Sequence, residues 1–281
     1  MSEIPLILQA VILGIMQGLA EFLPISSSAH LVFIPQILGW SYLGKAFDVA
    51  LHFGTLMALF VVFKDDIYAL LRGTRNLVLP PANAKAEETR LVKLLIVGCI
   101  PAGVLGLSFD DLIEAKFGNL YFVAAMLIVW AILLELADKK QSTEDSDGTS
   151  ARTMTDLTFL DAIIIGCAQA AALMPGTSRS GSTITTALFL GFSRTEAARF
   201  SFLLSLPVVA GASLLKGIKL FSDPSTAEIL GPLLVGILTS AVSGFICIKY
   251  FLKYLKQNSF RPFVVYRILL GLFLLSWAFQ H

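Results

Sequence analysis

Charge is scarce in this chain. Acidic and basic residues together make up 15% of its 281 residues, whereas a soluble domain carries about 25%. The formal net charge is +1, so there is no basic field to draw nucleic acid, and no nucleic-acid partner is expected. Cysteine is rare as well. Cys99, Cys167 and Cys247 lie far apart in apolar stretches, a spacing that fits neither a zinc site nor a disulfide framework; they read as small core hydrophobes. No G-x-x-x-x-G-K-[ST], H-E-x-x-H or dinucleotide fingerprint occurs, which excludes P-loop, zincin and dinucleotide-binding chemistry. What is abundant is apolar: 56% hydrophobic residues and a mean hydropathy of +0.78. Disorder, a coiled coil and an ordinary soluble enzyme are excluded, and an all-α polytopic membrane protein is expected.

A bilayer core of about 30 Å needs about 20 apolar residues in helical form. Six runs have that length: 47–63, 92–109, 119–137, 200–215, 231–252 and 263–280. Two other apolar stretches, 4–40 and 160–191, are interrupted by EFLPISSSAH (21–30) and LMPGTSRSG (173–181). Each arm beside a break is short for a crossing. Irregular backbone at membrane depth survives only where protein buries it or a wet cavity adjoins it. Both stretches are therefore expected to form re-entrant helix–loop–helix hairpins; thin spanning pairs with polar external loops are the other reading.

The two breaks are related. GIMQGLAEFLPISSSAH starts at Gly14 and GCAQAAALMPGTSRSG at Gly166, so Gly14 matches Gly166, Gln17 matches Gln169 and Ala20 matches Ala172. A one-residue slip then pairs Pro24 with Pro175, Ser26 with Thr177 and Ser27 with Ser178, and Leu38-Gly39 pairs with Leu190-Gly191. Three spanning segments follow each break, an odd number, which turns the second half upside down. The expectation is a single integral membrane domain, 1–281, of two inverted-topology repeats: about 1–140 and about 156–281, joined by a flexible polar linker at about 141–155. Charge orients it. The loops 64–91, 138–159, 192–199 and 253–262 hold thirteen Lys and Arg, against Lys45, Lys116, Lys216 and Lys219 on the other side. The positive-inside rule makes the first set cytoplasmic and puts both termini outside.

Several polar residues stand out in this apolar setting. Glu21 lies four residues after Gln17, so both share a helix face. A carboxylate at mid-membrane costs about 2.5–3.5 kcal/mol on insertion scales, so a cation, a metal, a proton or a structural partner must offset it. Ser26, Ser27 and Ser28 follow Pro24 and can cap a second helix, whose free N–H groups suit phosphate. His30 is near enough in sequence to activate a serine, although a serine run is often a cap alone and a lone histidine often a satisfied core residue. The second break adds Arg179, whose planar fork matches phosphate; a structural ion pair with Glu21 is the other reading. Gly176 and Gly181 would let backbone N–H groups approach a ligand. An acid, an imidazole, hydroxyls and an arginine in duplicated loops form an anion-handling inventory. Asp48 and His52, also four apart, read as a polar stripe facing the bundle interior, with catalysis as the other reading. Arg194, Glu196 and Arg199 read as capping and headgroup contacts. Ser178-Arg179 opens the S-R-x5-H block of type 2 phosphatidic acid phosphatases, but that block's histidine position holds Thr185.

At QGLAEFLPISSSAH (17–30) and PGTSRSG (175–181) the chain resembles the undecaprenyl-diphosphate phosphatase family of the bacitracin-resistance type. The flanks LGFSRTEAARFSFLLSLPVVAGA (190–212) and FRPFVVYRILLG (260–271) resemble it too. The resemblance implies a multi-pass enzyme of the bacterial inner membrane, its site open to the periplasm or exterior. It would remove the terminal phosphate of undecaprenyl diphosphate and return undecaprenyl phosphate as the carrier for cell-wall synthesis. It implies a divalent cation, Mg2+ or Ca2+, near Glu21 and Gln17. The family's first acidic position is Gln17 here, so Glu21 is the better metal ligand and a two-carboxylate site is not expected.

On this reading Ser27 is the nucleophile and His30 its general base or acid; direct attack by His30, or activation of water by it, is the rival. Arg179 and loop N–H groups neutralise developing charge, while Ser26, Ser178 and Thr183 hold phosphate oxygens. A different class, a transporter or flippase for an anionic lipid or solute, shares the inverted repeats and broken helices. Beyond the substrate the bilayer is the expected partner. A homodimer is compatible with the sequence, but no motif demands it.

Overall fold

A computed structural model describes residues 5–79, 85–146, 150–221 and 229–280. Among these residues the only extended pairing is an isolated bridge between Arg152 and Phe192; all other regular structure is helical. The first half holds α1 (Leu6–Ala20), α2 (Ser27–Leu38), α3 (Lys45–Val62), α4 (Lys64–Val78), α5 (Ala86–Phe117) and α6 (Leu120–Ser146). The second holds α7 (Phe159–Ala171), α8 (Arg179–Phe189), α9 (Arg194–Phe221), α10 (Leu230–Leu255) and α11 (Arg261–Gln280).

Six helices are long and apolar enough to cross a membrane: 45–62, 86–109, 120–142, 194–215, 230–255 and 261–280. They coincide with the six apolar runs. The protein is a multi-pass membrane protein, and its outer surface agrees: Leu107, Leu214 and Leu238 are each at least 65% exposed, an apolar belt that lipid, not water, would cover. Cys167 also lies exposed, so only Cys247 is a fully buried core thiol; Cys99 is half-buried.

The four arms beside the breaks have 15, 12, 13 and 11 residues (α1, α2, α7, α8). At 1.5 Å per residue none exceeds about 23 Å, short of a bilayer core. Their packing is reciprocal between the halves. The first arm α1 lies on α10, and its counterpart α7 lies on α5; α3 packs on α9, and α6 on α11. That is compatible with two inverted repeats. Close approach is made possible by glycine. A Cβ on Gly14 would sit 2.0 Å from Thr239 Oγ1 of α10, and one on Gly166 would sit 2.3 Å from the Gly98 carbonyl of α5. Small residues at helix crossings give the backbone contacts that association in lipid relies on.

Phe22, next to Glu21, anchors the first break in the main core, its ring 5.3 Å from Phe202 of α9. Polar ties close the bundle at its basic end. Arg194 binds Asp138 of α6 at 2.5 Å, Arg199 binds Asp66 of α4 at 2.6 Å, and Glu196 accepts from the Met154 N–H. These side chains tie neighbouring segments of the bundle together. Both ends of the expected linker have described structure. Residues 141–146 continue α6, 147–149 lie outside the described residues, and Arg152 is tied to Asp161 at 2.6 Å and to the Leu190 carbonyl at 2.8 Å. Asp161 in turn caps α7 through Thr158.

Candidate active site

Proline ends the first arm of each hairpin, because it lacks an N–H and clashes with the preceding turn. Shortly after each proline stands a serine at positive φ: Ser26 (φ 73, ψ 94) and Ser178 (φ 71, ψ 115). Among the described residues they are the only non-glycine residues there. Such backbone costs about 1–3 kcal/mol per residue and persists only where its surroundings impose it. Each serine caps the next helix, Ser26 Oγ accepting from the Ala29 N–H at 3.5 Å and Ser178 Oγ from the Gly181 N–H at 3.1 Å. Beyond α2 and α8, Gly39 and Gly191 both have positive φ, 64 and 85. Ser26–Ser178 and Gly39–Gly191 are each 152 apart, the spacing that also relates Gly14 to Gly166. The one-residue slip is therefore corrected: Ser26 corresponds to Ser178, and Ser27 to Arg179. Only the prolines are displaced.

The residue after each strained serine reaches the same carboxylate. Ser27 Oγ donates to Glu21 Oε2 at 2.9 Å, and Arg179 Nη2 donates to Glu21 Oε1 at 2.6 Å. Gln17 Nε2 donates to Oε2 at 2.9 Å, as the i, i+4 spacing predicts. Glu21 is 6% exposed and Arg179 15%, so the pair lies in the wall of the bundle. The hairpins also touch directly, through Ser180 Oγ donating to the Leu23 carbonyl at 3.1 Å. Gln17, Glu21, Ser27 and Arg179 thus lie together. The structure pairs Arg179 with Glu21; among the described residues the other hydrogen bond of its guanidinium is to the Ser201 carbonyl at 3.5 Å.

Other expected residues are placed differently. Among the described residues His30 makes no hydrogen bond to Ser27. Its Nδ1 lies 2.7 Å from the Ser26 carbonyl and its Nε2 2.6 Å from the Tyr266 hydroxyl. A carbonyl can only accept, so Nδ1 carries a proton, and in the neutral ring Nε2 accepts from Tyr266. Thr183 is buried, its hydroxyl 2.6 Å from Ser201 Oγ and 2.8 Å from the Arg179 carbonyl, and it fastens α8 to α9. Ser26 and Ser178 spend their hydroxyls on caps and on Ser28 and Ser180. The glycines make room for protein. A Cβ on Gly176 would stand 2.3 Å from the Val123 carbonyl, and one on Gly181 2.7 Å from Arg267 Nη1.

Three residues were missed. His52 of α3, read as interior stripe, places Nε2 3.5 Å from Glu21 Oε2 while Nδ1 lies 2.7 Å from the Asp48 carbonyl. At 34% exposed it forms the open side of the cluster. Tyr266 and Arg267 of α11 reach both hairpins. The signal for Arg267 was available: an arginine inside an apolar span is costly and marks a site by default. The same signal marks His52, a polar residue inside the span 45–62, but only the α1–α3 packing brings it to Glu21.

The donors suit a hard divalent cation only in part. Glu21 supplies one carboxylate. Gln17 Oε1 is buried without a partner, an orphaned acceptor beside that carboxylate. Among the described residues no group of three or more His, Cys, Asp and Glu could hold a metal alone. A magnesium-like ion held by one carboxylate and completed by substrate phosphates fits this set; an all-protein cage does not.

A family model described as Bacitracin resistance protein BacA matches residues 10–273. The chain is 47% identical over 272 residues to an undecaprenyl-diphosphatase of Hahella chejuensis, covering 97% of this chain and 98% of that protein. It is 45% identical to the undecaprenyl-diphosphatase of Elusimicrobium minutum, covering 96% and 97%. Against the one from Geobacter metallireducens it is 46% identical, covering 97% and 98%.

Proposed function

This chain belongs to the Bacitracin resistance protein BacA family, and from that membership we infer its reaction. It hydrolyses undecaprenyl diphosphate to undecaprenyl phosphate and inorganic phosphate, recycling the lipid carrier for cell-wall synthesis. Relatives named undecaprenyl-diphosphatase match it over nearly their whole length, and the transporter reading has no such support.

The observation that carries a mechanism is the convergence of Ser27 and Arg179 on Glu21. In the proposed reaction Ser27 Oγ attacks the terminal phosphorus. Its proton passes to Glu21 Oε2 along the existing hydrogen bond, and the bond from that phosphorus to the bridging oxygen breaks, releasing undecaprenyl phosphate. Water then attacks the phosphoserine. The proton held on Glu21 returns to Ser27 Oγ, and inorganic phosphate leaves. Arg179 turns its spare N–H groups to the phosphate oxygens, where a planar fork neutralises charge as it develops. Glu21 and the Gln17 carbonyl would hold Mg2+ or Ca2+, which when bound withdraws charge from the diphosphate. His52 flanks the carboxylate that takes the proton.

Topology supports a site facing the exterior of the bacterial plasma membrane. The thirteen basic loop residues mark the opposite, cytoplasmic side. His52 is seven residues from the start of α3 at Lys45, about 10 Å from its outer end at 1.5 Å per residue. A headgroup entering from outside would reach it while the prenyl chain stays in lipid.

Purified protein in detergent, given a prenyl diphosphate and Mg2+, should release inorganic phosphate with no ion gradient. Ser27→Ala should lower that release by on the order of 10³-fold or more without changing the melting temperature. Absence of release by the native protein would remove the enzymatic reading; undiminished release by Ser27→Ala would remove the serine route alone.

A further inference from the structure

Arg267 is completely buried, and among the described residues it has no carboxylate partner. Its guanidinium instead faces five main-chain carbonyls. Nε donates to Leu127 at 3.1 Å and Nη2 to Met126 at 3.3 Å, both on α6. Nη1 donates to Pro24 in the first break at 3.0 Å. Nη2 also donates to Gly176 at 3.1 Å and Thr177 at 2.9 Å in the second. The preceding residue works on the first break as well. The Tyr266 hydroxyl donates to His30 Nε2 at 2.6 Å, and His30 Nδ1 donates to the Ser26 carbonyl at 2.7 Å. Tyr266 also stacks on His30, with 7° between the rings and 5.7 Å between centroids.

The carbonyls held in this way belong to the strained serines or their close neighbours: Pro24 and Ser26 on one side, Gly176 and Thr177 on the other. A backbone at φ near +70 relaxes unless something fixes the peptides around it. An uncompensated buried cation is an expensive way to bind neutral carbonyls. Arginine alone offers five donors in a rigid plane and keeps its proton in apolar surroundings. Gly181 supplies the space, since a side chain there would collide with Nη1.

We propose that Tyr266 and Arg267 are positioning residues for the phosphatase reaction. Together they clamp both hairpin breaks from one helix, so that Ser27 Oγ and Arg179 stay aligned on the Glu21 carboxylate. Neither touches substrate: Arg267 acts through the backbone of both breaks, and Tyr266 acts through His30. The inference rests on the reading of the two breaks as the phosphate site.

The test is steady-state phosphate release by the full-length protein in detergent, with melting temperatures measured alongside. Tyr266→Phe removes one oxygen and keeps the ring stack. It should lower kcat by about tenfold, leave KM within about twofold, and leave melting unchanged, as misalignment of a bound reactant does. Tyr266→Phe in a His30→Asn background should cost nothing further, because the two act in series. Arg267→Lys, which keeps the charge but loses the fork, should lower kcat by on the order of 10²-fold. A Tyr266→Phe enzyme with native kcat, or an additive loss in the double variant, overturns the tyrosine arm. An Arg267→Lys enzyme that folds and keeps native kcat overturns the arginine arm. If Arg267→Lys does not fold, the clamp stands or falls on Tyr266→Phe alone. Failure of the native protein to release phosphate would instead strike the functional reading beneath the inference.

Discussion

Ser27 and Arg179 end on opposite oxygens of one carboxylate, at 2.9 and 2.6 Å from Glu21. They come from different halves of the chain, yet each directly follows a serine with φ near +70. The duplicated turn therefore delivers two different side chains to one point: a hydroxyl from the first copy and a guanidinium from the second. The two equivalent turns share a backbone shape and differ in the side chain that follows it.

Arg179→Lys should lower kcat/KM by roughly 10²–10³-fold, the cost typical of losing one oriented donor to a developing oxyanion. A lysine can still pair with Glu21, so folding should persist. Steady-state phosphate release compared with melting temperature checks this; near-native activity would restrict Arg179 to holding Glu21.

His52 is the group sequence reasoning set aside. Loss of a neighbour that orients a metal-ligating side chain commonly costs about 10–100-fold in metal affinity or activity. His52→Ala should fall in that range, and His52→Gln, whose amide can still reach Glu21, should retain more. Equal rates for the native and alanine forms would mean that the 3.5 Å approach has no bearing on turnover.

Gln17→Glu places a second carboxylate beside Glu21 and removes the donor now 2.9 Å away. Two adjacent carboxylates repel unless a cation joins them. The variant should respond to lower Mg2+ than the native protein, and titration of activity with the metal after chelation gives the comparison. An unaltered Mg2+ curve would place the ion elsewhere.

Stability should separate glycines by their surroundings. Gly166→Ala drives a methyl into the Gly98 carbonyl, whereas nothing lies within 4 Å of a Cβ on Gly103. Overpacking of the first kind costs about 1–3 kcal/mol, so Gly166→Ala should melt lower in detergent and Gly103→Ala should not. Equal melting temperatures would show that the α5–α7 crossing relaxes freely.

Apolar runs of spanning length are legible without tertiary information, since lipid forces each helix to satisfy its own backbone. That is why the six spans and both breaks could be read directly. Gln17 and Glu21 were legible because one turn of helix fixes their relation. The roles of Gly176, Gly181 and Thr183 were not, because whether a small or hydroxylated residue faces a ligand or a neighbouring helix depends on packing. His30 was misplaced for a similar reason. Nearness in sequence put it beside Ser27, but the turn of α2 points it at Tyr266, more than two hundred residues away.

The sequence by itself determined a six-span membrane protein with two similar, hydroxyl-rich interruptions. Hydropathy, proline and intramembrane charge are local properties, readable one segment at a time. Only the tertiary structure decided which of those residues meet. The close crossing of α1 on α10, and the grip of α11 on both breaks, are long-range contacts set by shape. They turn a list of polar side chains into one carboxylate shared by a serine, an arginine and a histidine.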